Sequence, residues 1–455
     1  MRRIFRKFRF YNNVRRAFWQ KRKKIFILGF ILGIIFFFFA YRLLFNTLQD
    51  NTQRIGLVGK YNIQELPLEI QRLISNGLTK VTEDGSVEPF LAESWEIKND
   101  GKEYVFKIKD GLLWQDKEPL IAKDVSLKFS DVTKTVIDDT HIKFQLKEPF
   151  SPFLTVVSKP IFRKGLLGTG DYEVSKVQRN GEIVESIILT PTKNKTQPKI
   201  IYKFYPTEKA ARSGFKLGEI DTLKEIVRVE DLNDWEKIKI DPEVKYNRFV
   251  AVFFNTDDPH LGNKSTRQAL AYALKKDWEE RALNSLNPSS WAYNSDVKPY
   301  NYDTSNAKKL LENGNGDTEN EEEGEETGLG ELKEIELTTL SSLLPIAEEI
   351  KKDWDALGVN TKIKVINNPY AEFQALLATQ EIPSDPDQYL FWHSTQAGNI
   401  SRYKSPKIDK LLEDGRKTLD KTERKDIYSD FQKSIVEETP AIFLFHPTVY
   451  TISKD

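Results

Sequence analysis

"ESWEIKNDGKEYVFKIKDGLLW", Glu93 to Trp114, is the stretch from which the fold is read. Apolar and charged residues alternate, and Asn99-Asp100-Gly101 and Asp110-Gly111 supply turns. A period of two with Gly-containing turns predicts an antiparallel hairpin with one dry face and one wet face. Asp84-Gly85 adds a turn upstream, so several antiparallel strands follow one another here.

Working outward, "IGLVGKY" from Ile55 reads as a strand. "LPLEIQRLISNGL" reads as a helix with Pro67 at its start, Ile70, Leu73 and Ile74 on one face, and Asn76-Gly77 as its stop. From Lys199 the pattern mixes periods. "KIIYKFYP" and "VKYNRFVAVFFNT" read as strands, and "TEKAARSGFKLGEI" as a helix ending near Gly218. In "STRQALAYALKK", Ser265 and Gln268 have capping-box spacing, with Leu270, Ala271 and Leu274 on the buried stripe. "ELKEIELTTL" and "VNTKIKVI" read as strands around the helix "LPIAEEIKKDWDALG", which Gly358 ends. Ile346, Ile350, Trp354 and Leu357 face inward. "FQALLATQEI" fits helix or strand. Two amphipathic helices, "SPKIDKLLEDGRK" and "TERKDIYSDFQKSIVEE", precede the apolar strand "AIFLFH". Such mixing predicts α/β layers. Residues 312–331, acidic and glycine-rich, read as a disordered surface loop.

The N-terminus is different. Residues 1–24 carry eleven Lys/Arg and no acid, and "IFILGFILGIIFFFFAY" follows from Ile25 to Tyr41. At helical rise this run spans roughly 26 Å, near a bilayer core of about 30 Å, and Leu43–Phe45 can complete it. The basic cluster predicts a cytoplasmic N-terminus. The expectation is a basic segment (1–24), a transmembrane anchor (25–45), a polar tether (46–54), and the bulk of the chain outside the cell. A cleaved signal peptide is the competing reading; no small-x-small site after Ala40 supports it.

The formal net charge of zero hides this asymmetry: beyond residue 24 stand 57 basic and 68 acidic side chains. An acidic body argues against nucleic acid as a partner. With no cysteine, disulfides, thiolate metal sites and thiol catalysis are excluded. His141, His260, His393 and His446 form no close metal-ligand pair, and neither a G-x-S-x-G elbow nor a Walker A loop is present. The reading is a binding protein without cofactor or metal, not an enzyme.

Several stretches in register carry a resemblance. They are "GLTKVTEDGSVEPFLAESWEIKNDGKEYVFKIKDGLLWQDKEPLIAKDV" (Gly77–Val125), "LKEPFSPFL" (Leu146–Leu154), "GTGDYEV" (Gly168–Val174), "FFNTDDPHLGNKSTRQALAYALKK" (Phe253–Lys276) and "PSSWAYNSDVKPYNYDTSNAKKLL" (Pro288–Leu311). "SRYKSPKIDKLLEDGRK" and "ETPAIFLFHP" follow. Together the chain resembles the family 5 extracellular solute-binding proteins, the peptide- and nickel-binding receptors of ABC importers. The resemblance implies a periplasmic-binding-protein-like class II α/β fold, with two lobes and an extra N-terminal subdomain. Lobe I would span 55–250 plus 441–455, and lobe II 251–440, with hinges at Phe253–Thr256 and Ala441–Phe445. It implies a peptide ligand, dipeptide or oligopeptide, with ABC permease and ATPase subunits as partners.

In peptide-binding relatives an acid shortly before a D-P-D-like loop takes the peptide ammonium. The matching region, "TQEIPSDPDQYLFWHS", offers Glu381 and Asp385, each equally readable as a solvated loop acid. Trp392 reads as core or ligand contact and His393 as either. Trp291 and Tyr293 would be cleft-wall aromatics, and Asn255 would bond ligand or hinge backbone. Arg267 reads as structural. Three features depart from the family: Ile121 replaces a Thr or Ser helix cap, the region between Val125 and Leu146 is trimmed, and the chain stops soon after "HPTVYTISKD". The last implies a reduced C-terminal part of the first lobe. A surface peptide sensor or scaffold with the same fold is the rival function.

Overall fold

The computed structural model describes residues 30–39, 51–127, 129, 131–194, 196–229, 232, 235, 237–313, 332–366 and 372–454. The basic segment 1–24, most of the tether (46–50) and the acidic stretch from 314 to 331 lie outside them. The chain separates into two compact units: Met1–Thr52 with Gln197–Lys199, and the remainder.

In the first unit, helix α1 covers 30–39, with Phe30, Ile31, Leu32, Ile34 and Ile35 among its exposed side chains. Among the described residues no helix is long and apolar enough to cross a membrane. The flanks of the expected span, 25–29 and 40–45, lie outside them.

The second unit, from Gln53, opens with the rest of strand β1 (Thr52–Val58), strand β2 (Tyr61–Asn62) and helix α2 (Leu68–Ile74). Strand thus starts inside the expected tether, at Thr52. Pro67 sits at the N-cap of α2, and Ile70 and Ile74 are buried.

A small module follows, built on the alternating sequence. A hairpin of β3 (Thr79–Val81) and β4 (Val87–Pro89) precedes an antiparallel sheet of order β5-β6-β8-β7. Its strands are β5 (Ala92–Lys98), β6 (Glu103–Ile108), β7 (Val132–Val136) and β8 (His141–Leu146). Tyr104, Phe106, Ile108, Ile142, Phe144 and Leu146 are buried on its dry face. They meet Phe153 of helix α3 (Phe153–Val156), with the Tyr104 and Phe153 rings 4.8 Å apart. Ile121 caps no α-helix: residues Ala122–Asp124 make a single 3-10 turn, and the Asp124 carboxylate accepts from the Ile121 amide at 3.3 Å.

β9 (Tyr172–Asn180), β10 (Ile183–Pro191), β11 (Lys199–Tyr205), β12 (Thr222–Ile226) and β13 (Ile238–Val244) join β1 and β2 in an eight-stranded sheet. Its order is β13-β19-β12-β1-β11-β10-β2, with β9 beside β10, and β1 runs parallel to β12. Helix α4 (Glu208–Lys216) connects β11 to β12. The eighth member is the last strand of the chain, β19 (Thr448–Lys454), which pairs with both β12 and β13. The C-terminal residues present therefore serve the first sheet, closing it between two of its own strands.

The third module carries the second large sheet. β14 (Arg248–Phe254) is its apolar centre, and "FVAVFF" is buried throughout. A continuous apolar run is what a strand covered on both faces requires. Then come α5 (Lys264–Tyr272), α6 (Thr304–Asn313), β15 (Glu334–Leu340), α7 (Leu344–Leu357) and β16 (Asn360–Ile366). β17 (Ala375–Glu381), α8 (Tyr389–Trp392), α9 (Pro406–Lys417), α10 (Lys421–Glu438) and β18 (Ala441–Phe445) complete it. The order is β16-β15-β17-β14-β18, with β15 parallel to both neighbours and β14 antiparallel to both of its own. "FQALLATQEI" is thus a strand. The cap of α5 is Asn263, whose side chain accepts from the Ser265 and Thr266 amides, rather than the expected Ser265–Gln268 box. Gln268 instead reaches Tyr300 and the Glu437 carbonyl. Arg267 is structural: its guanidinium donates to the carbonyls of Leu261, Gly262, Glu438 and Thr439.

The expected hinges, Phe253–Thr256 and Ala441–Phe445, lie largely inside this sheet, where Phe253 pairs with Ala441. The chain passes between the two large sheets at Lys245–Asn247 and at His446–Pro447. The two passages touch. The Lys245 amide donates to the Pro447 carbonyl at 2.9 Å, and the Tyr246 and His446 rings meet at 5.3 Å.

Candidate functional site

In open α/β sheets, ligands bind outside the carboxyl ends of parallel strands. Here those ends converge from both large sheets. β1 and β12 end at Val58 and Ile226, while β15 and β17 end at Leu340 and Glu381. One bond marks their meeting: Arg228, just past β12, donates from Nη2 to the Ser342 carbonyl at 3.2 Å, just past β15.

Glu381 closes β17 opposite Arg248, the first residue of β14. Arg248 turns to the other sheet and meets Glu225 at 3.3 Å, and Lys245 approaches the same carboxylate at 3.6 Å. Glu225 holds φ at 58°, in the left-handed region where a residue with a Cβ is strained. The β12–β19 register shifts between Leu223 and Ile226. Such an irregularity re-aims a side chain. Among the described residues, no side-chain donor pairs with the exposed Glu381 carboxylate.

Tyr61 reports on the same space. Its hydroxyl donates to the Val58 carbonyl at 3.3 Å. Burial raises its pKa, the carboxylates of Glu225, Glu69 and Glu381 add to the rise, and Arg248 opposes it. Side chains from both large sheets therefore act on one phenol. Glu69, on α2, is held 3.8 Å from Lys224.

β17 contributes backbone as well. β15 pairs with it only at Ala375–Leu377, whereas β14 pairs along its whole length. The β15-side edge of Ala378–Glu381 is unpaired among the described residues. An unpaired strand edge is a template for an extended peptide, through main-chain bonds that read no side chain.

The other expected residues are placed differently. Asp385 is spent on a buried ion pair: Arg424 of α10 donates to it from both terminal nitrogens, one at 3.1 Å. Burial would lower the Arg424 guanidinium, but Asp385 and Tyr428 hold it above its ordinary range. Asp385 thus anchors its loop to α10. Nearby, Asp387 takes Arg416 at 3.0 Å, and the Arg416 guanidinium lies over the Tyr389 and Phe150 rings.

Trp392 is core, stacked 6.2 Å from Phe253 and tilted against Phe443 at 6.0 Å. His393 is buried against Tyr389, ring centroids 4.1 Å apart, with Nε2 at 3.4 Å from Glu413. Asn255 ties the loop after β14, donating to the Phe373 carbonyl and accepting from the Asp257 amide. It lies just past the end of β14 opposite to Arg248, about 20 Å away at strand rise. Half-buried Trp291 joins two modules. Its amide donates to the Asp84 carbonyl at 2.9 Å, and Lys421 and Arg424 lie over its ring. Half-buried Tyr293 packs on the core of the third module, and burial raises its pKa.

Of the seven residues expected at the site, then, only Glu381 stands beside Arg248 and Tyr61. Sequence reasoning missed Tyr61, Glu225, Arg228 and Arg248. The one available signal was an arginine heading the otherwise apolar "RFVAVFF".

Residues 86–401, more than half of the chain, match the family model described as bacterial extracellular solute-binding proteins, family 5 middle. The chain belongs to this family. It is similar to the dipeptide-binding protein of Escherichia coli strain K12, 24% identical, with 80% of this chain and 82% of that protein covered. It is also similar to the oligopeptide-binding protein AppA of Bacillus subtilis strain 168, 24% identical, with 85% and 83% covered. Among solved structures, NikZ from Campylobacter jejuni in complex with Ni(L-His) superposes with a TM-score of 0.72 at 25% identity, covering 90% of this chain and 95% of that one. AppA from Bacillus subtilis in complex with a nonapeptide gives 0.68 at 21%, covering 89% and 94%, and supports the fold alone. This family 5 chain thus shares its mixed-sheet α/β architecture with known binding proteins.

Proposed function

We propose that this family 5 protein captures peptides between its two large sheets and hands them to an ABC importer, without covalent change. The observation that carries the reading is that, among the described residues, an open strand edge, Ala378–Glu381, ends in an unpaired carboxylate. The edge supplies main-chain bonds, and Glu381 supplies a counter-charge for the peptide ammonium. Tyr61, Glu225 and Arg248 form the facing wall. The lobes move about Lys245–Asn247 and His446–Pro447, the places where the chain passes between sheets.

The peptide class is favoured by the dipeptide- and oligopeptide-binding relatives. A nickel chelate, as in NikZ, is the second reading. Among the described residues no group of three or more His, Cys, Asp or Glu could hold a metal ion, so such a chelate would be gripped through its organic part.

A membrane anchor through 25–45, with the binding unit outside the cell, belongs to the same proposal. Its support is the charge-free apolar run behind eleven basic residues, and the apolar side chains that α1 exposes. External protease acting on intact cells should remove the 52–455 region if this is right; complete protection would contradict it.

Titration of the full chain with a mixed di- to hexapeptide library, followed by Trp emission, tests the capture step. Saturable change is expected. Flat emission together with no calorimetric heat would overturn it.

A further inference from the structure

The small β module and the third module meet along one seam. The Ser151 amide and hydroxyl both donate to the Arg416 carbonyl near the end of α9, at 2.7 and 3.0 Å, and the hydroxyl also reaches the Gly415 carbonyl at 3.2 Å. These carbonyls belong to the negative end of the helix, and the small module takes them up.

Beside this contact lies a cavity of about 880 Å³. Small-molecule sites span roughly 300–1,000 Å³. One wall is apolar: Val132 and Leu146, level with one another across β7 and β8, stand there with Phe150. Tyr389, its ring stacked on His393 at 4.1 Å, adds an aromatic face from the third module. Charged side chains form the rim. Its acids are all partnered. Asp131 pairs with Lys147, Glu148 lies 3.5 Å from Lys102, and Glu413 lies 3.4 Å from His393 Nε2.

Two of its cations are not. Arg416 bonds Asp387 through Nε at 3.0 Å, and its guanidinium carbon lies 4.9 Å from the Phe150 ring centre and 4.2 Å from that of Tyr389. Among the described residues, neither its two terminal nitrogens nor Lys417 Nζ has a hydrogen-bond or ion-pair partner. A guanidinium fixed by a carboxylate and two rings has lost its rotational freedom before any ligand arrives. Its terminal N–H groups then offer a pre-set fork, the geometry that suits a carboxylate.

We propose that this seam pocket is a second ligand site, which takes a small carboxylate with an aromatic body. The ring lies against Val132, Leu146 and Phe150, and the carboxylate meets the terminal nitrogens of Arg416 and the Lys417 ammonium. A bare anion lacks the apolar contact, and a neutral arene lacks the charged one. None of Tyr61, Glu225, Arg248 or Glu381 lines the pocket, so the site is separate from the peptide cleft and its test does not depend on peptide capture.

The test is calorimetry on the full chain with 1-naphthylacetate, 1-naphthylacetamide and acetate. Naphthylacetate should bind once per chain with a Kd on the order of 0.1 mM. The amide should bind about tenfold more weakly or worse, for want of a charged hydrogen bond, and acetate should give no heat. Lys417→Glu should weaken naphthylacetate at least about tenfold and leave the amide within about twofold. Lys407→Glu makes the same charge change near the other end of α9 and should leave both unchanged. Circular dichroism should show both variants folded. The inference is overturned if the acid binds no better than the amide, or only at several millimolar. It is also overturned if Lys417→Glu binds the acid as the native chain does, which places the ligand elsewhere, or if Lys407→Glu weakens it equally, which makes the effect one of general surface charge.

Discussion

Arg248 and Glu381 stand directly opposite one another in the β14–β17 pair, yet Arg248 gives its guanidinium to Glu225 of the other sheet. Among the described residues, the cross-sheet bond leaves Glu381 as an open carboxylate at the end of an open strand edge. Glu381→Gln should therefore weaken free-amino peptides by about 1.5–3 kcal/mol, the range for a hydrogen bond to a charged group. N-acetylated peptides should already bind at that reduced level to the native chain. Equal calorimetric affinity of acetylated and free peptides would remove Glu381 from the site.

The Asp385–Arg424 pair is a different kind of acid contact. Both side chains are at most 10% exposed. Breaking one partner of a buried pair costs about 3–5 kcal/mol. Asp385→Asn should lower the urea midpoint accordingly, while peptide affinity of the folded protein stays within about twofold, since bonds that touch no ligand leave binding unchanged. A large affinity loss with unchanged stability would return Asp385 to the ligand.

His446 links pH to the sheet-to-sheet passages. Its Nδ1–H donates to the Arg248 carbonyl at 2.8 Å, and its own amide donates to Glu280. Burial lowers its pKa, against the opposing effects of the Arg248 bond and the Glu280 carboxylate. The unfolded chain then binds the proton more readily than the folded one. Stability is fully present above the unfolded value, about 6.5, and falls as pH drops toward the folded value. Urea midpoints should decline between pH 7.5 and 5.5, and His446→Gln should shrink that decline. An identical pH slope in the variant would rule His446 out.

Arg267 is 1% exposed and satisfies four backbone carbonyls. Arg267→Met should cost about 3 kcal/mol or more, because those carbonyls lose their donor in a dry interior. Chemical denaturation measures it; a change under about 1 kcal/mol would mean that water replaces the guanidinium.

Gly85 shows how tightly the modules approach: at φ 79°, a Cβ there would lie 2.6 Å from the Ser384 carbonyl. That approach joins the β3–β4 turn to the loop holding Asp385. It was not readable from sequence, since it depends on residues some three hundred positions apart. Local pattern was readable. The alternation of Tyr104, Phe106 and Ile108 and the run "FVAVFF" each dictate one kind of strand, and Gly358 ends α7 at φ 105° as its position suggests. The passages between the sheets differ from the expected hinges for a physical reason. A central strand paired on both sides, such as Phe253, cannot absorb a bend; the unpaired residues before it can. The ion pair of Asp385 was not readable because its partner, Arg424, lies on another element. The placing of Asn255, beyond the far end of β14 from Arg248, was likewise not readable. Glu381 was legible through family resemblance alone. Arg248, Glu225 and Arg228 gain meaning only once the two sheets are set edge to edge.

Native mass spectrometry of the full chain mixed with a di- to hexapeptide library tests the central claim most directly. One intact peptide should be retained per chain, with its mass unchanged and retention lost in Glu381→Gln. A chain that retains nothing, or that returns cleaved peptides, would contradict capture in this cleft.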